Sequence, residues 1–261
     1  MIQKILLFGE SGMLGKYIYS YFKHKINIVR VNYKIIDHFD DLENMLDLDE
    51  NTCVINCIGL IPQRNPTSDK DYFLINSIFP NVLWTICKKN NAKMIQPSTD
   101  CVFSGKKGGY VETDIPDETK PYGMSKSLGE PNCTVIRTSI IGKEVSNKKS
   151  FLEWVLSNNN DKINGITNHL WNGITCLEYC KIIEKMIDEN MFWNGVRHIH
   201  SPTSVSKYEL ACIISNVFDV TIDITPVKSE PIDKTLVSNY SLFEIPELLV
   251  QMKELKDFSL I

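Results

Sequence analysis

The stretch Ile2-Gln-Lys-Ile-Leu-Leu-Phe8-Gly9-Glu-Ser-Gly12-Met-Leu-Gly15 decides the fold. Residues 2–8 form a largely apolar run, the pattern of a strand buried on both faces. Glycines then recur at positions i, i+3 and i+6, and residues 13–23 continue with helical character. Each glycine has its own physical use: a tight turn, close approach of backbone to a pyrophosphate, and close packing of helix on strand. The helix that follows offers free N–H groups and its positive end to phosphates. With 13 glycines in 261 residues, such a triple arises by chance only roughly 0.03 times per chain. Gly9, Ser11, Gly12, Met13, Leu14 and Gly15 are therefore the candidate pyrophosphate loop.

Outward from that loop, strand and helix patterns alternate. Asn27–Val31 and residues 52–58 are strand candidates, residues 94–96 begin another, and Thr134–Arg137 is a further one. A polar helix is expected over 40–48. A long helix is expected over 71–89, with apolar positions at Phe73, Leu74, Ile78, Val82, Leu83, Ile86 and Cys87. This alternation implies parallel pairing with right-handed crossovers, an α/β fold with a Rossmann-like doubly wound parallel sheet.

After Gly142 the texture changes. Helices are expected over 150–156, Cys176–Asp188 and 205–218, the last capped by Ser204 or Ser206, with Asn- and Pro-containing loops between them. The expected division is a cofactor-binding domain over 1–149, also receiving part of 170–199, and a small, mostly helical substrate lobe over 150–261.

The end of the second strand selects the cofactor. Val29-Arg30-Val31-Asn32-Tyr33-Lys34 has no carboxylate before Asp37 to hold a ribose 2′-hydroxyl. A cationic neighbourhood suits a 2′-phosphate, so NADPH is expected, with Arg30 or Lys34 reading that phosphate, and NADH is less favoured.

Composition removes several function classes. Lys plus Arg number 28 and Asp plus Glu 32, a net charge of −4, so there is no basic surface for nucleic acid. The eight cysteines include no Cys-x-x-Cys pair. They are expected as free thiols in a reducing cytoplasm, with no metal site. No apolar run reaches the roughly 18 residues that span a bilayer, and residues 5–8 are too short for a signal-peptide core. A soluble, cytoplasmic protein without membrane contact is expected.

Tyr122-Gly-Met-Ser-Lys126 sets a phenol and an ammonium four residues apart on one helix face. A cation beside a phenol lowers its pKa toward working pH, so the phenol can exchange a proton. Tyr19–Lys23 and Tyr21–Lys25 share the spacing and are expected merely to line the first helix. Tyr122 differs because it follows the strand end Gln96-Pro-Ser98-Thr99-Asp100, at the sheet edge where doubly wound folds bind ligands. Thr99 would hydrogen-bond a substrate carbonyl, Tyr122 would protonate the developing alkoxide, and Lys126 would tune the phenol and hold the nicotinamide ribose.

These residues carry a family resemblance. Gly9–Gly15, Asn56, the run from Pro97 to Gly105, Tyr110-Val-Glu112, the run from Pro121 to Glu130, Val135-Ile-Arg-Thr138 and Lys234-Thr-Leu…Phe243-Glu-Ile-Pro246 resemble the extended short-chain dehydrogenase/reductases. More narrowly, they resemble the dTDP-4-dehydrorhamnose reductases, across essentially the whole chain. The resemblance implies NADPH-dependent reduction of the C4 ketone of a nucleotide-linked 4-keto-6-deoxyhexose by Thr99, Tyr122 and Lys126. It adds Cys57, Ile58, Gly59 and Asn76 to the cofactor-binding set and a nucleotide sugar as partner, and it leaves a homodimer open.

One position departs from the usual reductases, which carry Tyr two residues after the catalytic Thr; here it is Cys101. A cysteine at that offset is similar to the acid/base of GDP-fucose synthases and bifunctional rhamnose epimerase/reductases. It suggests 3- or 3,5-epimerisation in the same pocket, since a thiol near a cation titrates within reach of neutrality. Lys149 and His169 are the candidates for the second base. Trp171 and Asn172, in the same loop as His169, are candidates for contact with base or sugar. Two alternatives stand beside this one. One is a non-catalytic, NADP-binding regulatory subunit resembling that of methionine adenosyltransferase. The other is a nucleotide-sugar 4,6-dehydratase or epimerase, for which Asp100-Cys101 supplies half of the expected acidic pair.

Overall fold

The computed structural model describes residues 1–35, 39–64, 68–146 and 148–260. The chain runs β1 (Lys4–Phe8), α1 (Met13–Phe22), β2 (Asn27–Val31), β3 (Thr52–Asn56), α2 (Asp69–Phe73), α3 (Phe79–Lys89), β4 (Lys93–Ser98), α4 (Pro121–Leu128) and β5 (Thr134–Arg137). There follow β6 (Ile140–Ile141), α5 (Phe151–Ser157), β7 (Lys162–Ile166), β8 (His169–Trp171), β9 (Ile174–Thr175), α6 (Cys176–Asp188) and β10 (Gly195–His198). The last elements are β11 (Val205–Ser206), α7 (Lys207–Val217), β12 (Asp223–Val227), β13 (Ile232–Asp233) and α8 (Leu248–Asp257).

The main sheet has the order β10-β5-β4-β3-β1-β2, and all its pairings are parallel. The chain starts in β1, steps out to β2 and returns on the other side to β3. The order therefore reverses between β1 and β3, where a crevice opens at the strands' carboxyl ends. Both faces are covered. Ile5 and Leu7 of β1 and Cys53 and Ile55 of β3 face α1 and α6, while Leu6, Phe8 and Val54 face α3. That double burial explains the unbroken apolar runs in the sequence. No helix among the described residues is long and apolar enough to cross a membrane.

Several elements differ from expectation for identifiable reasons. The helix expected over 40–48 is one 3₁₀ turn, Glu43–Met45; Leu42 alone is fully buried there, too little for an apolar stripe. The long helix over 71–89 begins at Asp69 and passes through a π turn, Leu74–Ile78, just before Pro80. Proline supplies no N–H and crowds the preceding turn, so the chain widens ahead of it. The strand expected over 52–58 ends at Asn56, where residues 57–59 turn over Gly9. Residues 205–206 form strand β11, and Ser206 is the cap of α7 in a full capping box with Glu209.

The second half is mixed rather than mostly helical. β8 pairs antiparallel with β11 and parallel with β13, and β7 pairs with β12. These strands are five residues or shorter, below the length at which period-2 alternation separates from loop. Residues 195–198 return to the main sheet as its edge strand beside β5.

Candidate active site

The glycine loop joins β1 to α1 at the reversal of strand order. Gly9 has φ +75°, and a Cβ there would lie 2.6 Å from the Cys57 carbonyl carbon and the Ile58 nitrogen. A Cβ on Gly15 would lie 2.2 Å from the Gly9 carbonyl oxygen, so the first turn of α1 rests directly on the loop. Gly12 donates its N–H to that oxygen at 3.1 Å and caps α1 with no side-chain acceptor and no carboxylate in the first turn. Met13 and Leu14 begin the helix, and Ser11 is exposed on the turn. A cradle that any Cβ would fill, facing unanswered helix N–H groups, fits a dinucleotide pyrophosphate.

Arg30, at the end of β2, lies with its guanidinium 4.7 Å over the Tyr19 ring and 3.9 Å from Glu10 in the loop. Lys34 is exposed beyond it, and Asp37 lies outside the described residues. After β3, the Cys57 N–H donates to the Phe8 carbonyl at 2.9 Å and the Ile58 N–H to Asn56 Oδ1 at 3.2 Å. Gly59 passes the Asn76 amide, where a Cβ would meet Oδ1 at 3.6 Å. Burial pushes the Cys57 thiol up to about 12. Asn76 is buried in the π turn, and its amide is spent inside the protein. Its Oδ1 accepts from the Leu60 N–H at 2.8 Å, and its Nδ2 donates to the Leu60 carbonyl at 2.9 Å and to Ser125 Oγ at 3.2 Å.

Thr99, just past β4, caps a single turn, Asp100–Val102. Its hydroxyl accepts from the Cys101 N–H at 3.1 Å and donates to Asp100 Oδ1 at 3.0 Å. Tyr122, the second residue of α4, has its buried phenol within electrostatic reach of Thr99, Cys101 and Asp100. The sequence motif thus brings phenol and hydroxyl together at the carboxyl edge of the sheet. Tyr21 and Lys25, with the same spacing, are instead held by Glu184 of α6 at 2.5 and 2.8 Å.

Two electrostatic expectations are corrected. The buried ammonium of Lys126 donates to the Pro97 carbonyl at 2.9 Å. Burial brings this lysine down to about 8, against the opposing pull of Glu130 and Cys57. The Tyr122 phenol lies well above its ordinary range, raised by burial and then by Cys101 and Asp100, with Thr99 opposing. Cys101 is likewise not near neutrality. Burial and Asp100 push its thiol up to about 12 despite Lys234. Both groups hold their protons at neutral pH.

Behind these residues lies a buried ionic chain. Ser98 Oγ donates to Glu130 at 2.5 Å, and Arg137 donates to the same carboxylate through Nε at 3.0 Å and Nη2 at 2.5 Å. Arg137 Nη1 meets His198 Nε2 at 3.0 Å. Burial and Arg137 bring His198 down to about 4, so Nε2 accepts from Arg137 and Nδ1–H donates to the Tyr110 and Val237 carbonyls. Ser98 and Pro97 are thereby fixed, and with them the strand end that carries Thr99.

The expected substrate residues are dispersed. Lys149 is exposed and donates to the Gln63 carbonyl at 3.1 Å, while the His169 ring lies 2.8 Å from Ser229 Oγ and 2.9 Å from the Glu230 carbonyl. Asn172 clamps the Leu236 backbone with both ends of its amide, at 2.8 and 3.0 Å. Trp171 is buried and donates to Ser139 at 2.7 Å. Sequence patterns missed Lys207, whose ammonium lies 5.5 Å from the Trp171 ring centroid and interacts with Asp100 and Cys101. Its one signal is local: a cation in the first position of a helix, against the positive end of the dipole.

Comparison with known proteins agrees with this geometry. The chain is 29% identical over 230 residues to the dTDP-4-dehydrorhamnose reductase of Aggregatibacter actinomycetemcomitans, covering 81% of this chain and 78% of that protein. It is 22% identical over 259 residues to methionine adenosyltransferase 2 subunit beta of Danio rerio, covering 88% and 78%. A crystal structure of dTDP-4-dehydrorhamnose reductase from Bacillus anthracis in complex with NADP has the same fold, with a TM-score of 0.84 at 19% identity over 97% of this chain and 98% of that one. The family model described as RmlD substrate binding domain matches residues 3–239, and the chain belongs to that family.

Proposed function

We propose that the protein reduces the C4 ketone of a nucleotide-linked 4-keto-6-deoxyhexose with NADPH, the sugar being rhamnose-type or its 2-acetamido analogue on UDP or dTDP. The observation that carries this is the placing of Thr99, after β4, and of the buried Tyr122 phenol, on α4, at the carboxyl edge of the sheet that also bears the glycine cradle. The α1 N-terminus and Gly9–Gly15 would hold the pyrophosphate, and Arg30 with Lys34 the 2′-phosphate. When bound, NADPH supplies the hydride. Thr99 orients the ketone oxygen, and Tyr122, protonated throughout the working range, gives that oxygen its proton. Lys126, held at the Pro97 carbonyl, would add positive charge to the site. Cys101, on the turn that Thr99 caps, supports epimerisation in the same pocket as a finer part of the proposal. Residues 1–149 would bind the dinucleotide and residues 150–261 the sugar nucleotide.

The test is NADPH oxidation with dTDP- and UDP-linked 4-keto-6-deoxy sugars. Tyr122→Phe is expected to lower kcat at least about 100-fold, the range of a lost general acid. A Phe variant with full activity overturns the mechanism. The likeness to methionine adenosyltransferase 2 subunit beta favours a second reading, a regulatory subunit on the same fold. Co-elution with a methionine adenosyltransferase catalytic chain, together with no turnover of any 4-keto sugar, would establish that reading instead.

A further inference from the structure

Three parallel strands of the main sheet end in a row of polar side chains. Ser98 closes β4, Arg137 closes β5 and His198 closes β10, and the register sets Arg137 between the other two. The Arg137 guanidinium engages Glu130 through Nε and Nη2 and His198 through Nη1, and its Cζ lies 5.1 Å from the Phe103 ring centroid. Phe103 directly follows the turn that Thr99 caps. Glu130 lies two residues past the end of α4 and four residues after Lys126. Its carboxylate accepts from Ser98 Oγ at 2.5 Å, while Lys126 donates to the carbonyl of the preceding residue, Pro97, at 2.9 Å. Two side chains from the end of α4 thus grip two consecutive residues of β4. The side chains of Arg137 and Glu130 are 3% and 6% exposed. Stability alone does not explain them, because desolvation offsets most of the attraction, and an apolar pair of similar volume often serves as well. A forked guanidinium–carboxylate pair does fix direction.

We propose that Glu130, aimed by Arg137, is the positioning residue that holds the strand end bearing Thr99 in register with the helix bearing Tyr122 and Lys126. This rests on the reading of the site as a ketone reductase. The two halves of that site belong to different elements, β4 and α4, and meet through side chains. The Lys126–Pro97 contact is by itself a single pivot, about which α4 could turn relative to Thr99. The Glu130–Ser98 contact is a second point beside it, and two points on consecutive residues remove that freedom. Arg137 sets the carboxylate in its turn. Its third nitrogen is fixed by His198, whose ring is held at the Tyr110 and Val237 carbonyls. Phe103, over the guanidinium, ties the far side of the Thr99 turn to the same ion. Glu130 and Arg137 act through these residues. A proton donor must meet the ketone oxygen at hydrogen-bond distance, and a displacement of about 1 Å costs roughly 100-fold in rate. Loss of the clamp therefore falls on kcat.

The test measures NADPH oxidation with dTDP-4-keto-6-deoxyglucose for wild type, Glu130→Met/Arg137→Met and Ser98→Ala, with a thermal melt of each. The double variant removes both buried charges together, so neither is left unpaired and the fold is expected to hold. A merely structural ion pair would then leave kcat intact. As a positioning pair, its removal is expected to lower kcat about 100-fold, with KM for sugar and for NADPH within about 3-fold of wild type. Ser98→Ala removes one hydroxyl and leaves the ion pair whole, and its kcat is expected to fall about 10-fold at the same KM values. If the double variant does not fold, Ser98→Ala decides alone. Wild-type kcat in either folded variant, or a loss that falls on KM alone, overturns the proposal and leaves the reductase reading standing. A wild type that turns over no 4-keto sugar overturns the reductase reading, and this one with it.

Discussion

At the scale of single residues, the site separates proton donor from charge. A cation four residues from a phenol suggests a lowered phenol pKa, yet burial dominates Tyr122, and the ammonium of Lys126 is drawn to the Pro97 carbonyl. On the proposed mechanism Tyr122 starts each turnover protonated, and the proton it gives the substrate oxygen must be regained before the next. Burial brings Lys126 within reach of neutrality, at about 8. Its sign is fixed: the lysine is charged below that value and neutral above it. For reduction, kcat/KM is expected to be level below pH 7 and to fall as pH rises through about 8. In Lys126→Met the slower residual rate should show no such limb. A wild-type profile that rises between pH 7 and 9 would contradict this assignment. Thr99, Tyr122 and Lys126 were legible in the sequence because one strand end and one helix turn hold them. The placement of the Lys207 ammonium near the Trp171 ring was not, because it follows from the pairing of β11 with β8.

Among elements, the π turn Leu74–Ile78 explains how the helix bearing Tyr122 and Lys126 is held. It presents Asn76 to the Leu60 backbone and to Ser125 of α4, and a Cβ at Gly129, the end of α4, would lie 1.7 Å from the Asn76 carbonyl oxygen. The widened turn and the glycine together let α4 sit directly on its neighbour, an arrangement typical of π turns near functional sites. Asn76 thus ties the Leu60 backbone to Ser125 of α4. Asn76→Ala strands the Leu60 N–H and carbonyl, so a loss of about 2–4 kcal/mol is expected in urea unfolding. A change below about 0.5 kcal/mol would mean that water replaces the amide. Sequence periodicity indicated a helix across this whole region, since a π turn adds one residue without disturbing the apolar face much. The strands of the main sheet were equally legible, being buried on both faces. The two- to five-residue strands of the second half were not, because so short an alternation is indistinguishable from loop.

For the whole molecule, the chain crosses between its two halves repeatedly. It leaves the main sheet after β5, returns through α6 and β10, and leaves again, so the edge strand beside β5 comes from residues 195–198. Buried polar clamps tie the returning segments together. Gln251, fully buried, accepts from the Thr175 N–H at 3.0 Å and donates to Ser201 Oγ at 3.0 Å and to the Pro246 carbonyl at 2.7 Å. Such interlocking predicts that dinucleotide binding at the switch point between β1 and β3 is felt by the whole fold as one cooperative unit. A ligand at 100 times its Kd adds about 2.7 kcal/mol to stability, which for a chain of this size raises Tm by roughly 5–10 °C. NADP⁺ should therefore raise Tm more than NAD⁺ at equal concentration, because Arg30 stands at the end of β2 with only Tyr19 and a distant Glu10 to occupy it. Arg30→Ala removes an exposed side chain with little cost to folding, so the unliganded Tm should stay within about 2 °C. In that variant the shifts produced by the two nucleotides should converge. Equal shifts in the wild type would assign the 2′-phosphate preference elsewhere. Equal preference for NADP⁺ in both proteins would leave Lys34, not Arg30, as the residue that reads it.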